Sequence, residues 1–501
     1  MSDELHRARR RHDDDRAAGD PSYARRSFLL AGGALTAGLV VGGGTAPAAA
    51  ATRTTAFGTA PAFDPARAEA AADAQVARIL LRIKPPRFPD RWFDITAYGA
   101  VGDDATDSTA AIRAAIEACH AAGGGHVLVP AGDFRTGAIH LLSGVDLHLA
   151  DGSRLAFSQD PAAYLPVVPT RYEGTECYNY SAFVYAYQQR DIAVTGSGVL
   201  DGRADATHWW DWTGGPPPNE GPDKTLLLQQ AADGVPVEQR VFGEGHHLRP
   251  NLLQFNRCEN VLLEGITAKD SPMWNLHPVL CRNVTVRGVT IDSPHGPNND
   301  GIDAESCTDV LIEGCTISTG DDCIAFKAGK DADGRRVNVP TRYAVVRDCE
   351  MADGNGGVTA GSETTGGVTD IFVRDCRMSS PRLERAIRIK SNPHRGGTIA
   401  NIDVRRVTVG QAADAVVEIV LNYANVTTGD FPPDLHGITI SHLTAAGAPR
   451  ALNLLGLATD PLRDIRLHAC RFDGMEEENS IQYVDGLRLD QVWINGVRAD
   501  N

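Results

Sequence analysis

The chain has 501 residues, about three times the ~150 residues of an ordinary domain. It carries 48 Lys+Arg against 64 Asp+Glu, a formal charge of −16, which is the wrong sign for a protein that grips nucleic-acid phosphates. Hydrophobic residues at 42% and charged residues at 22% exclude disorder throughout, and no run of about 20 strongly apolar residues is present to suggest a multi-span membrane protein.

At the N-terminus, residues 1–24 are charged and polar. Arg25-Arg26-Ser27-Phe28-Leu29-Leu30 then leads through a mildly apolar run to Gly44 and into Ala46-Pro47-Ala48-Ala49-Ala50. Paired arginines, an apolar stretch diluted by Gly and Ala, and an A-x-A end predict a twin-arginine export signal over 1–50. The alternative is a basic tail with a membrane anchor. A secreted protein with no membrane attachment after cleavage is the expectation. Residues 51–90 read as a linker and a helix: 64–83 is amphipathic, starts at Pro65 and is stopped by Pro85, Pro86 and Pro89. Residues 91–501 read as one β domain. In it Phe93–Thr96 is a strand, Thr109–Ala122 a helix ended by Gly123-Gly124-Gly125, and His126–Pro130 the next strand.

From about residue 190 a nine-residue phrase recurs, polar–apolar–x–apolar–x–x–apolar–x–x. It starts at Asn260, Asn283, Asp309, Tyr343, Asp370, Asn401, Gly437 and Asp464, at spacings of 23, 26, 34, 27, 31, 36 and 27 residues. Positions two and four alternate apolar and polar, as one face of a short strand does. A unit of this length cannot bury its apolar face alone, whereas stacked units close a core. The pattern predicts an all-β chain, a right-handed parallel β-helix adding about 4.8 Å per coil, with the Thr109–Ala122 helix capping its N-terminal end. Fifty-one glycines fit such a turn-rich architecture. Nothing in the pattern demands a partner, so a monomer is expected. Cys315, Cys349, Cys376 and Cys470 share position seven, and Cys258, Cys281 and Cys307 each sit two residues before a phrase. They are expected to stack as two ladders of buried thiols, with disulfides the alternative. Residues 203–250, with Trp209-Trp210-Asp211-Trp212, interrupt the phrase and read as a long excursion. Its tryptophans are either sugar platforms or loop anchors.

Loops on one side of a solenoid carry function. Asn298-Asn299-Asp300 and Gly320-Asp321-Asp322 lie about one coil apart, since 21 residues separate Asp300 from Asp321. Three carboxylates on adjoining coils repel, which raises at least one pKa. A raised carboxyl beside ionised neighbours is the requirement for general acid–base cleavage of a glycosidic bond. Arg388-Ile389-Lys390 places two cations on one side of a strand. They suit either an anionic ligand group, such as a uronic-acid carboxylate, or a structural ion-pair ladder.

These motifs, in this order, resemble glycoside hydrolase family 28, the polygalacturonases, over roughly residues 85–430. The resemblance implies a pectin-lyase-like parallel β-helix and no cofactor or metal. It also implies hydrolysis of α-1,4-galacturonosidic bonds of pectin with inversion, by an exo-type bacterial-like member. Carried over, Asp321 is the general acid, Asp300 and Asp322 hold and deprotonate the attacking water, and Arg388 and Lys390 bind a galacturonate carboxylate. The inversion that the resemblance implies fits carboxylates far enough apart to admit that water. One element departs: Asn355, in Gly354-Asn355-Gly356, stands where the family has a histidine. An amide hydrogen-bonds without titrating, so reduced activity or a changed substrate is expected rather than a dead site. His295 is a candidate substitute, with a surface role the alternative. Asn298 and Tyr423 are further substrate-binding candidates, Tyr423 stacking on a sugar or sitting in the core. Glu173 or Tyr178 is a candidate to line the far end of the cleft, and His277 reads as structural.

Two other readings compete. One is a rhamnogalacturonan or other pectic hydrolase, or a catalytically weakened carbohydrate-binding β-helix. The other is a lyase on the same architecture, using calcium and an arginine base. Exo action depends on whether loops such as 203–250 wall off the cleft.

Overall fold

The computed structural model describes residues 64–214 and 219–501; the proposed export signal and the linker up to residue 63 lie outside them. The chain divides into two units, residues 1–71 and 72–501.

Each phrase folds as one strand between two corners. Positions two and four point into a common core: Val261 and Leu263, Val310 and Ile312, and Ile371 and Val373 are all at most 1% exposed. Truncating such a residue, Ile312→Ala for example, costs about 2–5 kcal/mol. Position one is left-handed, with φ of 56° at Asn260, 57° at Asn283, 61° at Asp309 and 57° at Asp370. Asn and Asp tolerate that region better than other residues with a Cβ, which is why the phrase opens on them. Their amides also stack, Asn283 Nδ2 donating to Asn260 Oδ1 at 2.7 Å and Asn260 Nδ2 to Asp191 Oδ1 at 2.8 Å. Position six turns the chain again through left-handed Gly265, Gly288, Gly314, Asp348 and Asp375.

Stacking the coils gives three long walls of 14, 14 and 11 strands. The first wall holds the phrase openings, such as Glu259–Glu264 and Thr308–Glu313. The second holds their ends, such as Thr290–Ser293 and Thr316–Thr319. The third, carrying Ile302–Glu305, Ile324–Lys327, Val358–Ala360, Arg385–Lys390 and Ala415–Val420, is in register from coil to coil: Ile302 pairs Ile324, which pairs Val358, which pairs Ile387. This is the parallel β-helix expected from the repeat.

Helix α1 (Pro65–Arg82) and helix α2 (Thr109–Ala121) have different tasks. Ile112, Ala115, Ile116 and Cys119 of α2 enter the main core at the N-terminal end, so α2 is the cap. From Ala72 onward α1 lies on the outside of the first wall, Ile79 packing with Leu311, Val345 and Phe372. That cover explains why position three, an outward position, is apolar in those coils. All ten cysteines are free and buried, and Val407 and Leu443 interrupt the position-seven ladder before Cys470. Among the described residues, no helix is long and apolar enough to cross a membrane.

Two segments leave the coils beside the third wall. Val168–Tyr172 and Thr175–Asn179 form an antiparallel hairpin, to which Val241–Phe242 adds a third strand. Residues 203–250 include helix α3 (Gly221–Ala232). Trp209 is 2% exposed and packs on Tyr164 and Phe183, while Trp210 Nε1 donates to the Ser271 carbonyl at 2.9 Å. These two tryptophans anchor the excursion, which decides the question the sequence left open for them. A short helix, α4 (Asp331–Val337), follows the Ile324–Lys327 strand and packs against the hairpin and the excursion, Asp333 Oδ1 lying 2.6 Å from Arg240 Nη1.

Candidate active site

The outer face of the third wall is the floor of a cleft. Strand alternation sends Ile302, Ile324 and Ile387 inward and Asp303, Lys327, Arg388, Lys390 and Glu418 outward. Asp300 and Asp322 each stand two residues before a strand, and those strands pair directly, so the two lie one coil apart. The coils approach closely here. A Cβ on Gly320 would sit 2.3 Å from the Gly296 carbonyl oxygen, which is why glycine precedes the Asp pair. Carboxylate oxygens of Asp300, Asp321 and Asp322 lie within 4.8 Å of one another.

The three acids are served unequally. Lys390 Nζ lies 2.9 Å from Asp322 Oδ2 and Arg388 Nη1 3.4 Å from its Oδ1. Lys327 Nζ lies 3.1 Å from Asp300 Oδ2. Asp321 is approached by a neutral group, Asn355 Nδ2 donating to its Oδ1 at 3.0 Å. The residue that departs from the family pattern thus touches the expected acid.

Proton affinities follow this layout. Burial, with the charges of Asp321 and Asp322, pushes Asp300 up to about 8 against the pull of Lys327. Burial and the Asp322 charge also raise Asp321. Asp322 is equally buried, yet Lys390, Arg388 and Lys327 together outweigh that and hold it at about 2. The triplet therefore keeps proton-binding capacity on Asp300 and Asp321 while Asp322 stays ionised, the pairing of acid and base that bond cleavage needs.

The other candidates sort as follows. Arg388 and Lys390 face the cleft and form ion pairs within it, Arg388 Nε also reaching Glu418 Oε1 at 3.2 Å. Tyr423 lies outside the core, half-buried at the cleft edge with its ring centroid 5.3 Å from Lys390 Nζ. Asn298 is tied by its Oδ1 to Arg249 Nη2 at 2.8 Å, anchoring the excursion. His295 is exposed. His277 is buried, its Nε2 2.9 Å from Glu305 Oε2 and its Nδ1 beside the Asn251 and Gln254 amides. Glu173 sits at the hairpin tip between Lys224 and Lys330, and Tyr178 is half-buried in the hairpin. The sequence reading missed Lys327, Glu363, Glu418 and Trp274. Alternation from Ile324 places Lys327 outward, and that signal was available.

Typical inverting pairs stand about 6.5–9.5 Å apart, whereas this triplet brings oxygens within 4.8 Å. Oxygens about 4.5 Å apart are still bridged by one water with two ordinary hydrogen bonds.

Residues 240–488 match the model of glycosyl hydrolases family 28, and residues 92–148 a rhamnogalacturonase A/epimerase, pectate lyase-like model. The chain is 41% identical to a hyperthermoactive exopolygalacturonase of Thermotoga maritima of known structure, at TM-score 0.83, over 85% of this chain and 97% of that one. The chain belongs to glycoside hydrolase family 28. It is a glycoside hydrolase with the family's parallel β-helix. A probable polygalacturonase of Vitis vinifera is 29% identical over 382 residues, 74% of this chain and 71% of that protein. An exo-poly-alpha-D-galacturonosidase of Dickeya chrysanthemi is 25% identical over 399 residues, 74% of this chain and 65% of that protein.

Proposed function

We propose that this family 28 member hydrolyses the α-1,4-galacturonosidic bonds of pectin, releasing residues from a chain end. The observation that carries the chemistry is the triplet with cations on two of its three carboxylates. Asp321, in ion-pair contact with no cation among the described residues and raised by burial, donates its proton to the leaving oxygen. Asp322, ionised by Lys390 and Arg388, takes the proton of a water that Asp300 helps to hold. Arg388, Lys390 and Tyr423 line the floor on the far side of the scissile bond, where a galacturonate carboxylate meets cations and a sugar face meets a ring.

Chain-end action is supported by the wall at the other side. Arg171 of the hairpin lies 3.5 Å from Glu305 across the third wall, and Thr170 Oγ1 donates to Gln254 at 2.6 Å. Arg249 of the excursion reaches Asn298 and the Pro297 carbonyl. The sequence pointed both to the excursion and, through Glu173 and Tyr178, to the segment that forms the hairpin. On this reading the two together close one side of the groove beside Asp300, the hairpin running past Gln254, Glu305 and Lys330.

Product analysis of the protein on de-esterified polygalacturonate, with Asp321→Asn alongside, tests this reading. Monogalacturonate as first product from the wild type and none from the variant is expected, with inverted anomeric configuration by proton NMR. An unsaturated product would instead mean a lyase, and binding without turnover on any pectic backbone a carbohydrate-binding protein. We further propose export through the twin-arginine pathway and action as a monomer. Retention in the cytoplasm of an Arg25→Lys/Arg26→Lys variant, and sedimentation at monomer mass, are the outcomes expected.

A further inference from the structure

Lys327 ends the Ile324–Lys327 strand on the closed side of the cleft, with 4% of its surface exposed. Its ammonium lies 3.1 Å from Asp300 Oδ2, 3.4 Å from Asp303 Oδ1 and 3.2 Å from Glu363 Oε2, and 4.2 Å from the Trp274 ring centroid. Among the described residues it is the one cation in ion-pair contact with Asp300. A carboxyl on so short a stem swivels broadly about its terminal torsion. Anchoring Oδ2 on Lys327 fixes that torsion and leaves Oδ1 to accept from a water.

The same ammonium belongs to a circuit of alternating charge. Glu363 is drawn to Lys330 as well as Lys327, and Lys330 lies 3.5 Å from Glu173. Glu173 meets Lys224 at 2.8 Å, Lys224 meets Glu220 at 2.7 Å, and Glu220 meets Arg249 at 2.8 Å. Arg249 then binds Asn298, two residues before Asp300. The circuit joins hairpin tip, α3, the start of α4 and the Asp300 loop, so the wall and the carboxyl share one frame.

We propose that Lys327 is a positioning residue for the hydrolysis, holding the Asp300 carboxyl in the orientation that retains the attacking water and limiting how tightly the triplet binds protons. The inference rests on the roles given above to Asp300, Asp321 and Asp322. The groups facing Asp300 are Lys327, Asp321, Asp322, Lys390 and Asp303, and those facing Lys327 are Asp300, Glu363, Asp303 and Asp322. Four acids around one ammonium hold its pKa well above the ordinary lysine value, so it is a fixed cation. Deleting it leaves the triplet more basic.

The test compares Lys327→Met and Lys327→Arg with wild type on trigalacturonate across pH, with thermal melting as the folding check. Lys327→Met is expected to lose about 10²-fold in kcat with little change in KM. The alkaline limb of its kcat profile should move up by about one pH unit or more. Lys327→Arg should keep the wild-type limb. In an Asp300→Asn background Lys327→Met should add little further loss. An unmoved limb, or an equal loss without Asp300, overturns the proposal. If Lys327→Met does not melt cooperatively, Lys327→Met/Glu363→Gln removes one charge of each sign and is judged by the same limb. Infrared titration of the protonated-carboxyl band needs no turnover: persistence to higher pH in Lys327→Met supports the proposal, and an unchanged band refutes it even if the substrate is assigned wrongly.

Discussion

Asn355→His restores the residue type the family carries beside the acid, and its effect can be worked out. Asn355 Nδ2 lies 3.0 Å from Asp321 Oδ1. An imidazolium there puts a unit charge about 4 Å from the carboxylate, worth about 4 kcal/mol at an effective dielectric of 20, or about three pH units in proton affinity. Asn355 is only half-buried, so screening trims that to about one or two. The sign is definite. In the wild type Asp321 and Asp300 are raised, so the proton needed by the leaving oxygen is present at low pH and lost as pH rises through those raised values. A cation beside Asp321 lowers them and brings the alkaline limb of kcat to lower pH. Asn355→Ala, which loses a hydrogen bond and adds no charge, should cost about tenfold in kcat and move the limb far less. The assay is galacturonate release from trigalacturonate between pH 3 and pH 9. A limb that stays in place in Asn355→His, or moves upward, would refute the view that Asp321, in ion-pair contact with no cation among the described residues, carries the transferred proton.

Two further outcomes follow from neighbouring contacts. Asp322 is held at about 2 against an ordinary 3.8. That lowered value stabilises the fold above pH 3.8 by on the order of 2 kcal/mol, and the contribution disappears as pH falls through about 2. Lys390→Met, which removes the 2.9 Å partner, should lower the melting temperature at pH 6 and flatten its decline between pH 4 and 2 in calorimetry. At the hairpin tip Gly174 has φ of 81°, and a Cβ there would lie 2.7 Å from the Lys330 backbone nitrogen. Gly174→Val should lever the hairpin from α4, open the closed side of the groove and shift first products from monogalacturonate to longer oligomers on chromatography. Monogalacturonate alone would place the barrier elsewhere.

The walls were legible because each coil spells itself out. An Asn, Asp or Gly marks the left-handed corner, and positions two and four alternate into the core within a few residues of one another. The triplet was legible for a related reason: Asn-x-Asp and Gly-Asp-Asp sit one coil apart, and pairing of Ile302 with Ile324 brings them together. What escaped lies between segments distant in sequence. Lys327 reaches Asp300 across 27 residues and Glu363 across 36, and Arg171 reaches Ser306 across 135. No local period records the pairing of Arg171 with Ser306, whereas Lys327 stands one coil from Asp300 and was within reach of the repeat. Coil spacing fixes backbone separation, while side-chain rotamers decide where carboxylate oxygens meet, here within 4.8 Å.

The distribution of cations is what turns three similar acids into different tools. One buried carboxyl among three has no reason of its own to be the acid, since burial raises all of them alike. Lys390 and Arg388 single out Asp322 as the ionised member, and Lys327 draws on Asp300 while leaving it able to bind a proton. Asp321 alone is met by an amide. A histidine at position 355 would make that third acid share a charge as well, so asparagine there is consistent with a site that separates its acid from its base by charge placement, Lys327 on the acids' own coil and Arg388 and Lys390 two coils on.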